Sequence, residues 1–210
     1  MPDVEAGRGG TFGATSPRNA WEGVAVPGRS GLAHGGPGVR ATLWIPRHIA
    51  TVTAGPGRAA ALSDAAEPTL GGRLPLRPRT VEAGGTTFVW SGPGQWLAIS
   101  RRPDLVPRLI GALPEASVAD QSGARAILSL SGTGVREVLE KGSMVDLHPR
   151  AFAVGDVAVT TIAHVGVQLW QVDDAPRFDI AVSRSFAGSF WSWLGASAAP
   201  LGFTTEYEPA

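Results

Sequence analysis

Short β-branched runs and short helical segments follow one another in the same order twice along this chain, and that repeat narrows its fold more than any other feature. In the first round, runs at 41–45 and 49–53 read as one strand interrupted at Pro46. Pro56 then opens an Arg/Ala/Leu helix over 57–66. Strands at 86–90 and 95–100, joined by the Gly/Pro turn at 91–94, come next. A helix over 104–113 follows, with Leu105, Leu109, Ile110 and Leu113 at helical spacing. In the second round a strand at 124–130 leads through Gly132-Thr133-Gly134 into a helix over 135–141, for which Thr133 is the predicted cap. Strands at 156–161, 164–172 and 177–182 precede a closing helix over 185–194. Strand, helix, strands, helix, twice over, predicts an α+β chain. Its two split β-α-β (ferredoxin-like) halves are antiparallel sheets with helices packed on one face. A doubly wound parallel sheet does not fit that order.

Charge and composition exclude several partners. The 18 basic residues balance the 18 acidic ones, so neither a nucleic-acid arm nor a polybasic membrane patch is a main theme. No apolar run approaches the ~20 residues of a membrane helix, and residues 1–30 lack a secretory pattern. With no cysteine, the chain has no disulfide, no thiolate nucleophile and no cysteine-ligated metal. The expected location is the cytoplasm. Glycine-rich residues 1–38 read as a flexible N-terminal arm. On it Trp21 is either a hook for another subunit or an incidental surface residue. Residues 39–210 read as a single two-lobed domain with halves at about 39–117 and 118–210.

Familiar catalytic patterns are missing. Gly132-Thr133-Gly134 lies between a strand and a helix, where a dinucleotide turn would lie, but Glu137 stands in place of the third glycine. A carboxylate there opposes a pyrophosphate. His34, His48, His148 and His164 show no metal-ligand spacing; Asp146 and His148 form the nearest approach, without a third ligand in view. His164 is expected in an apolar strand as a hydrogen-bonded core or interface residue. Asp173-Asp174 reads as a solvated turn.

Seven tryptophans are a surplus. Trp191 and Trp193 point roughly 200° apart on a helix, so both cannot face one core. The spacing assigns Phe186, Phe190 and Trp193 to the chain's own core and Trp191 to contact with a large partner subunit.

Several segments together resemble a known family. Val118-Ala119-Asp120-Gln121-Ser122, followed by the strand that ends at Ser131-Gly132, is similar to the opening of an aminomethyltransferase-type folate-binding half-domain. Gly92-Pro93-Gly94-Gln95-Trp96-Leu97, Asp146-Leu147-His148-Pro149, Phe178-Asp179-Ile180 and Arg184-Ser185-Phe186-Ala187 narrow the likeness to the gamma subunit of heterotetrameric sarcosine oxidase. The resemblance covers about residues 40–195. It implies a complex that oxidatively demethylates sarcosine with oxygen and tetrahydrofolate to glycine, hydrogen peroxide and methylenetetrahydrofolate. It also implies alpha, beta and delta subunits as partners, which carry FAD, FMN, NAD, the folate site and zinc. No catalytic, cofactor-binding or metal-binding residue carries over to this chain, which would be a non-catalytic assembly subunit. The alternative is a stand-alone folate-binding aminomethyltransferase-like protein, for which Asp120 is the candidate pterin carboxylate. A third reading is a scaffold unrelated to flavin chemistry.

Overall fold

A computed structural model describes residues 19–32, 36, 38–45 and 47–209. In chain order the strands and helices are β1 (Gly28–Ser30), β2 (Val39–Leu43), β3 (His48–Thr53), α1 (Ala59–Leu70), β4 (Thr80–Ala83), β5 (Thr86–Gly92), β6 (Gln95–Ser100), α2 (Leu105–Ala112) and β7 (Ser117–Asp120). The second round continues with β8 (Arg125–Ser131), α3 (Val135–Glu140), β9 (Val157–Ile162), β10 (Val165–Asp173), β11 (Arg177–Ser183), α4 (Ala187–Ala198) and β12 (Phe203–Tyr207).

The strands form a seven-stranded sheet, β1-β12-β2-β8-β11-β10-β9, and a five-stranded sheet, β4-β5-β6-β3-β7. The smaller sheet carries the split β-α-β order cleanly. There β3, β5, β6 and β7 are the four strands of the unit, α1 and α2 its crossovers, and β4 an added edge. The larger sheet repeats the pattern with β8, β10, β11 and β12, but β2 is inserted between β8 and β12. β2 runs parallel to β12 and antiparallel to β8. The α+β architecture read from the sequence is therefore present, with one strand exchanged between rounds. The runs at 41–45 and 49–53 are not one interrupted strand: β2 joins the larger sheet and β3 the smaller. The cut at 117/118 likewise falls inside β7, which pairs with β3.

Alternation along the strands sets four layers. In β8, Ala126, Leu128 and Leu130 face α3 and α4, while Ile127 turns toward the other sheet. Across the gap Ile127, Val157, Trp170 and Ala181 meet Ile49, Val89, Leu97 and Ile99. The far face of the smaller sheet packs Val52, Phe88, Trp96 and Ala98 against Leu62, Ala66, Leu105 and Leu109 of α1 and α2. Sheets buried on both faces need near-continuous apolar runs, and β6, β8 and β11 supply them. Among the described residues no helix is long and apolar enough to cross a membrane.

Local chemistry departs from expectation at three places. Thr133 does not cap α3; Gly134 occupies the cap position with no side-chain bond. Ile110 of α2 is exposed, off the buried stripe. His164 is not in a strand: with Ala163 it forms the two-residue turn between β9 and β10, and both have positive φ, 48° and 67°. Such a hairpin turn favours Asn-Gly, because a β-carbon is strained there. The Ala163 amide donates to the Gly142 carbonyl at 3.1 Å, which helps to hold it.

The aromatic assignment holds for Phe190, which is fully buried with Trp193 packed on it, and fails for Phe186. Trp21 is fully buried, and its indole N–H donates to the Ile127 carbonyl at 2.8 Å. Residues 28–30 add β1 to the edge of the larger sheet. Residues 19–32 are thus part of the fold, whereas residues 1–18 of the expected arm lie outside the described residues. Trp191 is half-buried between Trp21 (5.8 Å) and Phe203 (5.6 Å) of its own chain. Trp193 rests against Phe190 at 5.8 Å. Phe186, assigned to the core, is 53% exposed. It precedes α4 in a 3-10 turn, so the α-helical phase does not reach it.

Three outcomes follow for the isolated chain in urea denaturation. Trp21→Ala lowers stability by about 3–5 kcal/mol, whereas Phe186→Ala changes it by less than about 1 kcal/mol. Replacing Ala163-His164 by Asn-Gly raises stability by about 1 kcal/mol; an equal or lower midpoint would show the turn to be unstrained.

Candidate functional site

A polar row crosses the inner face of the larger sheet. Pairing puts Glu206 of β12 beside Thr42 of β2, Thr42 beside Ser129 of β8, Ser129 beside Asp179 of β11, and Asp179 beside Trp170 of β10. Further along the same face the row gives way to Ile127 and Ala181, which the smaller sheet covers. Ser129 and Asp179 thus stand at the margin of the inter-sheet core.

Hydrogen bonds tie the row together. The Trp44 indole N–H donates to Ser129 Oγ at 2.8 Å, and the Ser129 hydroxyl donates to Asp179 Oδ1 at 2.5 Å. The Trp170 indole stands beside the same carboxylate on the neighbouring strand. Asp179 is only 6% exposed. Burial pushes its carboxyl up to about 6, against the opposing pull of Ser129, Arg177 and Trp170. Among the described residues no lysine or arginine forms an ion pair with it: Arg177 is bound to Asp173 at 2.9 Å.

Asp179 and Trp44 together separate two cavities. One, of about 360 Å³, is lined also by Thr42, Ser129, Ser131, Arg177, Glu208 and Pro209. The other, of about 200 Å³, includes Glu82, Thr87, Trp170 and Gln171. Glu208 at the first is held by both Arg47 and Arg101, and the Arg47 guanidinium lies over the Trp44 ring at 4.9 Å. Glu82 accepts a hydrogen bond from Thr87.

The residues singled out from sequence are absorbed in turns. Asp120 Oδ1 accepts from the Ser122 hydroxyl (2.6 Å) and amide (2.8 Å), which hold its carboxyl below the usual carboxylate range. Asp146 accepts the His148 amide at 2.9 Å, and His148 Nδ1 accepts the Arg150 amide at 3.2 Å. Asp173 accepts the Ala175 amide, as a turn aspartate should. His48 opens β3, far along the sequence from His148 and His164, and His34 lies outside the described residues. Among the described residues, no group of three His, Cys, Asp or Glu side chains could hold a metal ion.

The glycine turn does not fit a pyrophosphate. The Gly134 amide, one of the donors a phosphate would need, bonds the Gly38 carbonyl at 2.9 Å. A β-carbon on Gly132 would lie 2.4 Å from that same oxygen, so the glycine is required by close chain packing. Glu137 pairs with Lys141 at 3.2 Å on the surface of α3.

Sequence reasoning passed over Asp179, although a carboxylate within Phe178-Asp179-Ile180-Ala181-Val182 was a visible signal. In an otherwise apolar strand it must be buried, and a buried carboxylate is rare without a purpose.

Comparison with known proteins gives one consistent result. The model of the "Sarcosine oxidase, gamma subunit family" matches residues 53–200. A sarcosine oxidase subunit gamma from Corynebacterium sp. (strain P-1) is 36% identical over 143 residues, 67% of this chain and 69% of that protein. One from an Arthrobacter species is 39% identical over 128 residues, 59% of this chain and 62% of its own length. Among solved structures, a chain of heterotetrameric sarcosine oxidase from Corynebacterium sp. U-96, crystallised with pyrrole 2-carboxylate, matches with a TM-score of 0.70 and 29% identity. That match covers 80% of this chain and 87% of the other. Glycine cleavage system aminomethyltransferase T from Bartonella henselae shares the fold at a TM-score of 0.55 and 12% identity, covering 80% of this chain and 47% of that one.

The Asp179 environment sets a pH signature. Its folded pKa lies above the ~3.9 of an unfolded aspartate. The protonated form therefore adds stability fully below about pH 4, and this is lost as pH rises through about 6. Asp179→Asn, which cannot ionise, should gain on the unmodified chain across that window. The advantage should reach roughly 2–3 kcal/mol above pH 6.5. Urea melts of both chains from pH 4 to 8 measure it, and a constant difference would contradict the burial argument.

Proposed function

The chain belongs to the sarcosine oxidase gamma subunit family, and on that premise we propose that it is the assembly subunit of a four-chain oxidase. The match to a chain of the heterotetramer along 87% of that chain's length carries the reading. Its partners are alpha, beta and delta subunits, and the complex oxidatively demethylates sarcosine with oxygen and tetrahydrofolate, in the cytoplasm. FAD, FMN, NAD and zinc reside on those other chains. This chain contributes no catalytic, cofactor-binding or metal-binding residue. Supporting that assignment, the glycine turn is closed by Gly38, and the candidate carboxylates Asp120 and Asp146 are spent on local turns.

The stand-alone folate-binding reading is not favoured. Asp120, its candidate pterin partner, is bonded to Ser122.

Co-production with the neighbouring subunits, with an affinity tag on this chain, tests the proposal. The expected product is a yellow complex with larger chains that oxidises sarcosine. A colourless monomer that binds folate would favour the alternative. Titration calorimetry of the purified single chain should show no micromolar binding of FMN or NAD; such binding would contradict the assignment of cofactors to the other chains.

A further inference from the structure

Asp179 is the place where the fold leaves a charge unanswered. Around it, Arg177 is matched with Asp173, Glu208 with Arg47 and Arg101, and Arg40 with Glu206. Among the described residues the Asp179 carboxylate is hydrogen-bonded by the neutral Ser129 hydroxyl and forms no ion pair; Arg177 acts on it from a distance while bound to Asp173. A carboxylate offers about four acceptor positions, so others remain. They border a cavity of about 360 Å³ whose wall adds the Ser129, Ser131 and Thr42 hydroxyls and the Trp44 ring. The cavity lies where the inner face of the larger sheet extends past the inter-sheet core. A group that fits must present N–H donors and positive charge at its head and apolar surface along its stem. Arginine and lysine have that form: the stem can lie on an indole while the head meets a carboxylate.

We propose that this cleft receives a basic side chain, arginine or lysine, from a partner subunit, docked against the Asp179 carboxylate. This rests on the reading of the chain as a subunit of a hetero-oligomer and names one contact through which it is held. Charge complementarity carries it. A desolvated carboxylate without an ion-paired cation is costly in the free chain, and a partner's cation supplies the pairing that Arg177, bound to Asp173, does not. Among the described residues, the charged groups besides Asp179 that line the two cavities are Arg177, Glu208 and Glu82, with Asp173 bound to Arg177 and no histidine.

The test uses the tagged chain and the co-produced subunits, with affinity measured between purified wild-type or variant chain and the remaining subunits. Asp179→Asn keeps the shape and removes the charge. It should weaken association by a factor of about 10 or more, while thermal melting shows the free chain still folded. Wild-type association should weaken as pH falls through about 6, and the Asn variant should not follow. Glu82→Gln, on the far cavity, should associate like wild type. Equal affinity of Asp179→Asn and wild type at pH 7.5 would overturn the inference while leaving the subunit reading intact. If the wild-type chain does not associate at all, the subunit reading fails and this inference with it. Ethylguanidinium supplies the last arm: micromolar binding to the free chain, with association of Asp179→Asn unimpaired, would assign the cleft to a small cation instead.

Discussion

Face-to-face contact between the two sheets is the constraint on which the rest of the molecule depends. Each sheet has helices on its outer face, so each must also bury its inner face or leave it polar. Where they overlap, Ile49, Val89, Leu97 and Ile99 meet Ile127, Val157, Trp170 and Ala181. At roughly 25 cal/mol for each Å² of apolar surface buried, such a contact is a substantial part of a domain's stability. The contact ends part-way along β8 and β11, two central strands of the seven-stranded sheet. The sequence changes character at that margin: β8 passes from Ile127 to Ser129 and Ser131, and β11 from Ala181 to Asp179 and Arg177. Asp179 stands at the edge of the covered region and lines the cleft.

Local patterning made much of this fold legible. The doubled order of strands and helices, the α+β class, and the helices on one face of each sheet all follow from period and turn chemistry. What escaped was non-local. β2 reads like the start of β3 because only four residues, Trp44 to Arg47, separate them, yet they join different sheets. β4, β7 and β12 are short and mixed in polarity, so they are strands by virtue of their neighbours and not of their own residues. The turn at Ala163-His164 carries none of the usual signals, since its positive φ values are imposed by β9, β10 and the bond to Gly142.

The tryptophan argument went astray for a physical reason that has its own use. Trp191 and Trp193 do lie on different sides of α4, and one core cannot take both. The conclusion that one must meet another subunit assumed a helix with a single covered side. Residues 19–25 fold back instead, Trp21 fills the space beside Trp191, and its indole is satisfied by the Ile127 carbonyl. A glycine-rich flank had concealed an anchor of this size. Burial of one large aromatic can offset the cost of ordering several residues, which composition averaged over a segment does not capture.

Asp120, Asp146 and Asp173 stood out in sequence because they sit among turn residues, and turns are where their carboxylates are spent. Asp179 lies in none of those turns, and it is the carboxylate that the fold buries. In an isolated chain, burying it in ionised form works against stability at neutral pH, by the sign of its shifted pKa. A chain that functions in a complex can recover it on assembly, since any group that binds the native state and not the unfolded one raises its stability. The same carboxylate that weakens the free subunit then favours the bound one, and the cost in isolation becomes a source of selectivity for the partner.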